Sequence, residues 1–161
     1  MEKDIITLAE KVGQTLLKQN LLLCTAESCT GGWVAQAISG VEGCSAWFER
    51  GFVTYSNTAK QEMLGVPVAT IGKFGAVSQE TAKAMAEGAL QNSHADISIA
   101  ITGIAGPSGG SKDKPVGLVW FAISQRSRST LTFSRQFKGD RTSVREQAVI
   151  CILEKLCTLS Y

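Results

Sequence analysis

Histidine occurs once in the sequence, at position 94, so a reaction that needs an imidazole base has a single candidate. His94 falls between a helix predicted over 79–92 and a strand opened by Asp96, at the end of the sheet away from the glycine-marked loops described below. A lone histidine in such a connection ordinarily serves as a surface or capping residue, and a Ser-His-Asp triad is not expected. CxxC pairs are missing too. Cys24, Cys29, Cys44, Cys151 and Cys157 have no spacing that suits zinc, so no metal is expected. Their odd number, with a charged N-terminus that lacks a signal-peptide core, points to a reducing cytoplasm. No uninterrupted apolar run reaches the about 18 residues that a membrane-spanning helix needs. The net charge is only +2, with 16 basic side chains interspersed among 14 acidic ones, which argues against nucleic-acid or membrane partners. Arg126, Arg128 and Arg135 are the one local concentration, and they read as solvated surface around a hairpin. Repeats, linkers and low-complexity tracts are absent. A length of 161 residues, 44% of them apolar, suits one domain over 1–161.

The apolar pattern alternates between helix and strand periods. Ile5, Leu8, Ala9, Val12 and Leu16 form one stripe of a helix over 3–19 that Asn20 can end. A short apolar strand over 21–25 feeds a helix over 31–39, and a second strand lies near 50–55. A helix over 57–64 closes at Gly65. Ser78 caps a helix over 79–92. Strands over 96–101, 117–124 and 130–137 follow, the last two joined by a polar turn. The final helix begins among Asp140, Thr142 and Ser143, with Ser143 and Glu146 at capping-box spacing. The interleaving predicts a three-layer α/β/α sandwich on a mixed, mostly parallel sheet.

Four polar, glycine-marked loops follow predicted strands, where open α/β sheets gather their ligands. They are Thr25-Ala26-Glu27-Ser28-Cys29-Thr30-Gly31-Gly32, Tyr55-Ser56-Asn57-Thr58-Ala59-Lys60, Thr102-Gly103-Ile104-Ala105-Gly106-Pro107 with Ser108-Gly109-Gly110, and Gly139-Asp140-Arg141 with Arg145. The first places hydroxyls, a thiol and two glycines at a strand-to-helix junction, where unpaired amides favour an anion. An ordinary N-cap by Ser28 or Thr30 explains the same residues. The 106–110 run resembles a phosphate cradle but lacks the Gly-Lys-Ser/Thr continuation of a nucleoside-triphosphate loop.

With these four segments, Ser45-Ala46-Trp47-Phe48, Gly75-Ala76-Val77-Ser78 and Lys114-Pro115-Val116-Gly117, the sequence resembles the amidohydrolase domain at the C-terminus of the CinA competence-damage proteins. The match covers nearly the whole sequence and includes the family's stand-alone form. The resemblance implies the same sandwich with about five strands, and a homo-oligomer, at least a dimer. It also implies hydrolysis of nicotinamide mononucleotide to nicotinic acid mononucleotide and ammonia, in pyridine nucleotide salvage, without a cofactor. The N-terminal domain of the longer relatives is absent, so its chemistry is not expected. Cys44 stands where the family usually has a small or hydroxylated residue.

Without histidine, the residues leave lysine as a base, because a neutral amine can deprotonate a hydroxyl. Bringing an amine down by about 3 units, from about 10.4 to about 7 or 8, takes roughly 4 kcal/mol of differential stabilisation, which desolvation can supply. Lys60 lies one turn beyond Ser56 in a loop otherwise free of charge. On the residues alone it reads first as a solvated helix side chain. The resemblance makes Ser28 the nucleophile and Lys60 its base, with Tyr55 and Ser45 as accompanying hydroxyls. Thr30, Gly31, Thr102 and Gly103 are expected at the substrate, with amides of 29–31 or of Gly103 holding the oxyanion. Arg141 and Arg145, four apart at a helix start, can grip the phosphate or instead pair with Asp140 and Glu146. Two alternatives stay open: a nucleotide-binding or regulatory paralogue without catalysis, and Cys29 as nucleophile, its thiol acidified by the helix N-terminus.

Overall fold

The structure, a computed structural model, describes residues 2–161. Its elements in chain order are α1 (Glu2–Gln19), β1 (Leu23–Glu27), α2 (Trp33–Ser39), a 3-10 turn (Cys44–Ala46), β2 (Phe48–Val53), α3 (Asn57–Leu64), α4 (Val68–Phe74), α5 (Gln79–Gln91), β3 (Ile97–Gly103), β4 (Leu118–Gln125), β5 (Leu131–Gln136) and α6 (Arg141–Thr158). The five strands lie in the order β2-β1-β3-β4-β5. β1 runs parallel to β2 and β3, while β4 is antiparallel to both β3 and β5. The expected α/β/α sandwich on a mixed sheet is borne out.

Alternation along the strands splits the core into two layers. Ile97, Ile99, Ile101, Val119, Phe121 and Ile123 face α1, α2 and α6, where Val12, Leu16, Val34, Ile38, Ile152 and Leu153 meet them. The opposite face is built from small residues, Cys24, Ala26, Ala100 and Ala122, which let Ala82, Ala86 and Ala89 of α5 approach closely. Deeper contact comes at Gly88 of α5, where a Cβ would stand 1.9 Å from the carbonyl oxygen of Leu64. The α3 helix therefore rests directly on α5.

Several boundaries differ from expectation for identifiable reasons. The first strand begins at Leu23 and not 21, because Leu21 N–H bonds the end of α1 at Leu16 and Leu22 N–H bonds the Asp96 carboxylate. The second helix begins at Trp33 and not 31, because Gly31 and Gly32 take left-handed conformations, with φ of +60° and +98°. Asp140, not Ser143, caps α6: its side chain accepts from Ser143 N–H, so the capping box with Glu146 does not form. The expected helices over 57–64 and 79–92 are present, with Gly65 in the left-handed region and Ser78 accepting from Thr81 N–H. The α4 helix was not expected.

Register places the site. Glu27 is level with Val53 on β2 and Ile101 on β3. Beyond that line Ser28 N–H bonds Ile101 and Thr54 N–H bonds Glu27. Three consecutive strand ends thus bring Ser28, Thr54 and Thr102 side by side, at the carboxyl edge where such sheets place their ligands.

Candidate active site

Lys60 is 1% exposed, and its Nζ lies 2.9 Å from Ser28 Oγ, 3.0 Å from the carbonyl oxygen of Thr54 and 2.9 Å from that of Tyr55. No carboxylate partners it among the described residues. Burial pushes the Lys60 amine down from its ordinary value, with the Cys29 thiol pulling weakly the other way. A neutral amine has two N–H donors and one lone pair. With the two carbonyls as acceptors for those donors, the lone pair of a neutral Lys60 is directed at Ser28 Oγ, which itself lies 3.4 Å from the Tyr55 carbonyl. That is the arrangement a general base requires.

Ser28 is held by the turn that follows β1, and two charged side chains brace that turn. Glu27 is fully buried and accepts from Thr30 Oγ1 at 2.7 Å, Val34 N–H at 2.8 Å and Ala35 N–H at 3.1 Å. Burial pushes its carboxyl up, while the Val34 and Thr30 donors act in the opposite direction. From the outer side Arg145 donates to the carbonyls of Cys29, at 3.0 Å, and Thr30, at 3.2 Å, and lies over the Trp33 ring. Sequence reasoning assigned no role to Glu27. A signal for it existed: α2 starts after glycine and has no side-chain cap, so its first amides need an acceptor from elsewhere.

This bracing corrects several expectations. The anion-favouring amides of α2 are already occupied by Glu27. The hydroxyl of Thr30 is bound to that carboxylate, and Thr30 does not line the cavity beside Ser28. The Gly31 N–H bonds the carbonyl of Ser28, so within 29–31 only the amides of Cys29 and Thr30 are not engaged with a backbone carbonyl. Arg145 clamps the turn and does not line the cavity, which separates it from Arg141. Neither arginine pairs with Asp140 or Glu146 among the described residues. Cys29 is 6% exposed, and burial pushes its thiol up to about 12, against the acidification expected at a helix start. Cys24 is likewise raised, to about 11, by burial.

A cavity of about 190 Å³ opens beside Ser28, lined by Cys29, Tyr55, Asn57, Lys60, Ala76, Val77, Thr102, Gly103, Ala105 and Arg141. Its floor is buried Ser28, Lys60 and Thr102; its rim is exposed Tyr55, Asn57 and Arg141. Thr102 Oγ1 donates to the Ala76 carbonyl, which ties the 75–78 segment to the site. Tyr55 is 62% exposed, and its hydroxyl accepts from Arg141 Nη2 at 3.1 Å while its carbonyl reaches Lys60. Arg141 Nη1 also donates to the Gly106 carbonyl at 2.7 Å. Ser45 is not brought here. It precedes β2 in the exposed Cys44–Ala46 turn, whereas the site follows β2, so a parallel sheet puts the two at opposite edges. His94 also lies at the far edge, its N–H near Glu49.

The described residues include no cluster of three or more His, Cys, Asp or Glu side chains suited to a metal ion, and no helix long and apolar enough to cross a membrane. The model of the CinA C-terminal domain matches residues 5–159. Over 155 residues the chain is 50% identical to the nicotinamide-nucleotide amidohydrolase PncC of Escherichia coli strain K12, covering 96% of this chain and 94% of that protein. It is 52% identical to the protein of the same name from Pseudomonas putida over 155 residues, covering 96% of each. Among solved structures, the competence/damage inducible protein CihA from Agrobacterium tumefaciens superposes with a TM-score of 0.91 at 47% identity, covering 95% of this chain and 93% of that one. The chain belongs to the CinA C-terminal domain family.

Proposed function

We propose that the protein hydrolyses the carboxamide of nicotinamide mononucleotide, releasing ammonia and nicotinic acid mononucleotide, with Ser28 as nucleophile and Lys60 as base. The observation that carries this reading is the buried, carboxylate-free amine 2.9 Å from the Ser28 hydroxyl. The names of relatives about half identical over nearly the full length supply the substrate.

Ser28 Oγ attacks the amide carbon as Lys60 takes its proton. The amides of Cys29 and Thr30 are the candidate donors to the oxyanion. The proton passes from Lys60 to the departing nitrogen, which leaves as ammonia. Water, deprotonated by Lys60, then cleaves the acyl-enzyme. A cavity of about 190 Å³ suits the carboxamide-bearing ring, with the ribose phosphate at the rim beside Arg141.

A cytoplasmic location belongs to the same proposal, supported by five free cysteines. So does a homo-oligomer, supported by exposed Val53 on the edge strand β2 and by exposed Met63 and Val68. Sedimentation velocity tests the assembly. The activity is tested by ammonia release from the mononucleotide, the riboside and the dinucleotide. The mononucleotide is expected to be turned over fastest. A folded protein that binds the mononucleotide yet releases no ammonia from it is a binding paralogue, and the proposal falls.

A further inference from the structure

The cavity is lined by two basic side chains and, among the described residues, by no carboxylate. Lys60 stands at its floor and Arg141 at its rim. The other ionisable groups facing Lys60 carry no negative charge that would neutralise it. The Cys29 thiol, on the β1–α2 turn, is pushed up to about 12 and stays protonated. Tyr55, on the β2–α3 connection, turns its hydroxyl to Arg141. The walls from 76–77 and 102–105 are Ala76, Val77, Thr102, Gly103 and Ala105. On α3 itself Glu62 is exposed, and Glu27 is turned toward α2.

We infer that this site captures the carboxylate of its own product, an aromatic acid, as a buried ion pair with the ammonium of Lys60, so that the acid is bound more tightly than the amide. The inference rests on the amide-hydrolysis reading above. In the final half-reaction a C–O bond forms between water and the acyl carbon while the bond from that carbon to Ser28 Oγ breaks. One water proton ends on Ser28 Oγ. The other leaves with the carboxylic acid and passes to Lys60 Nζ, so the enzyme–product complex holds an ammonium beside a carboxylate. Two of the ammonium N–H groups keep the carbonyls of Thr54 and Tyr55. The third, which points at Ser28, is free to turn to a carboxylate oxygen. Such a pair is strong where water is excluded. The neutral amide offers no such charge.

Two consequences follow for the product alone. Its binding takes up a proton wherever the free enzyme holds Lys60 neutral, and over that range its affinity falls about tenfold per pH unit. The amide carries no charge to pair with the ammonium, so its binding lacks this proton uptake.

The test is titration calorimetry on the Ser28→Ala protein, which does not consume the amide. Nicotinic acid mononucleotide and nicotinamide mononucleotide are compared at several pH values, in two buffers of different ionisation heat. Both nucleotides carry the same phosphate, so the difference between them reports the carboxylate. The expected result is an acid at least about tenfold tighter than the amide, with an extra uptake approaching one proton. In the double variant with Lys60→Met both differences vanish while the amide still binds; the proton count on Ser28→Ala alone remains decisive if that variant does not fold. Equal affinities with equal proton uptake overturn the inference and leave amide hydrolysis standing. Failure of the substrate reading looks different: neither nucleotide binds and the native protein releases no ammonia, and both proposals fall.

Discussion

Lys60 reaches Ser28 from 32 residues further along the chain, its Nζ 2.9 Å from the hydroxyl oxygen, because α3 starts where β2 ends beside the carboxyl end of β1. In the proposed mechanism the two form one unit. Ser28→Ala and Lys60→Ala are each expected to lower kcat by about 10³ or more, and the double variant to be little worse than either. Steady-state ammonia release from all three, with circular dichroism to verify folding, measures the coupling. Independent, multiplying losses would mean that the pair does not act together.

Because burial lowers the Lys60 amine, kcat/KM should climb with pH and level off with an inflection below the ordinary lysine value of 10.5. The same shift acts on folding. Between the folded and unfolded values the unfolded chain holds the proton that the folded amine has lost, so this group adds stability as pH rises through that window. A pH–rate profile with no ionisation below the ordinary lysine range would remove Lys60 as the base.

Cys29→Ala should keep most of the activity, and iodoacetamide at mildly alkaline pH should leave the native enzyme working. A thiol that is 6% exposed and pushed up to about 12 presents almost no thiolate. Turnover abolished in a folded Cys29→Ala protein would transfer the nucleophile's role to sulfur.

The two arginines of α6 should separate kinetically. Arg141→Ala is expected to raise KM for the mononucleotide about 10-fold or more while sparing the riboside, since a charge-assisted hydrogen bond to phosphate is worth about 1.5–3 kcal/mol. Arg145→Ala should lower kcat for both substrates alike, because it frees the carbonyls of Cys29 and Thr30 and loosens the turn that aims Ser28. A phosphate-selective KM effect in Arg145→Ala would contradict the clamp.

Glu27→Gln is nearly isosteric but turns an amide NH2 toward a site where only donors converge. Leaving a buried donor without an acceptor costs about 1–3 kcal/mol, so urea denaturation should show a loss on the order of 2 kcal/mol. An unchanged midpoint would mean that α2 finds another cap.

The amphipathic helices, the glycine and serine caps and the three-layer arrangement were legible in the sequence because each rests on local periodicity or local backbone chemistry. The α4 helix was not, because it is only seven residues long and none of its side chains is fully buried, Ile71 alone packing partly against the small-residue layer. Ser28 and Lys60 could be named as chemistry, but their approach depends on strand register. Ser45 was misplaced although order alone suffices: a residue before a parallel strand and one after it lie at opposite edges. Arg145 was read as a ligand because a guanidinium at a helix start looks the same whether it meets an anion or a pair of carbonyls. Glu27 escaped because a carboxylate at a strand end is ordinarily solvated, and its burial shows only once the turn folds back over it.

The contact between Gly88 and the Leu64 carbonyl makes the distance between Lys60 and Ser28 depend on a helix that lines no part of the cavity. Lys60 sits one turn upstream of Leu64 on α3, so anything that lifts the end of α3 tilts the amine as a lever tilts its load. A methyl at position 88 has no room and must displace that end. A substitution in the alanine-lined layer of α5 can therefore leave a folded protein whose base points past its serine, a lesion that would look like an active-site defect in every assay yet sit on the other helix.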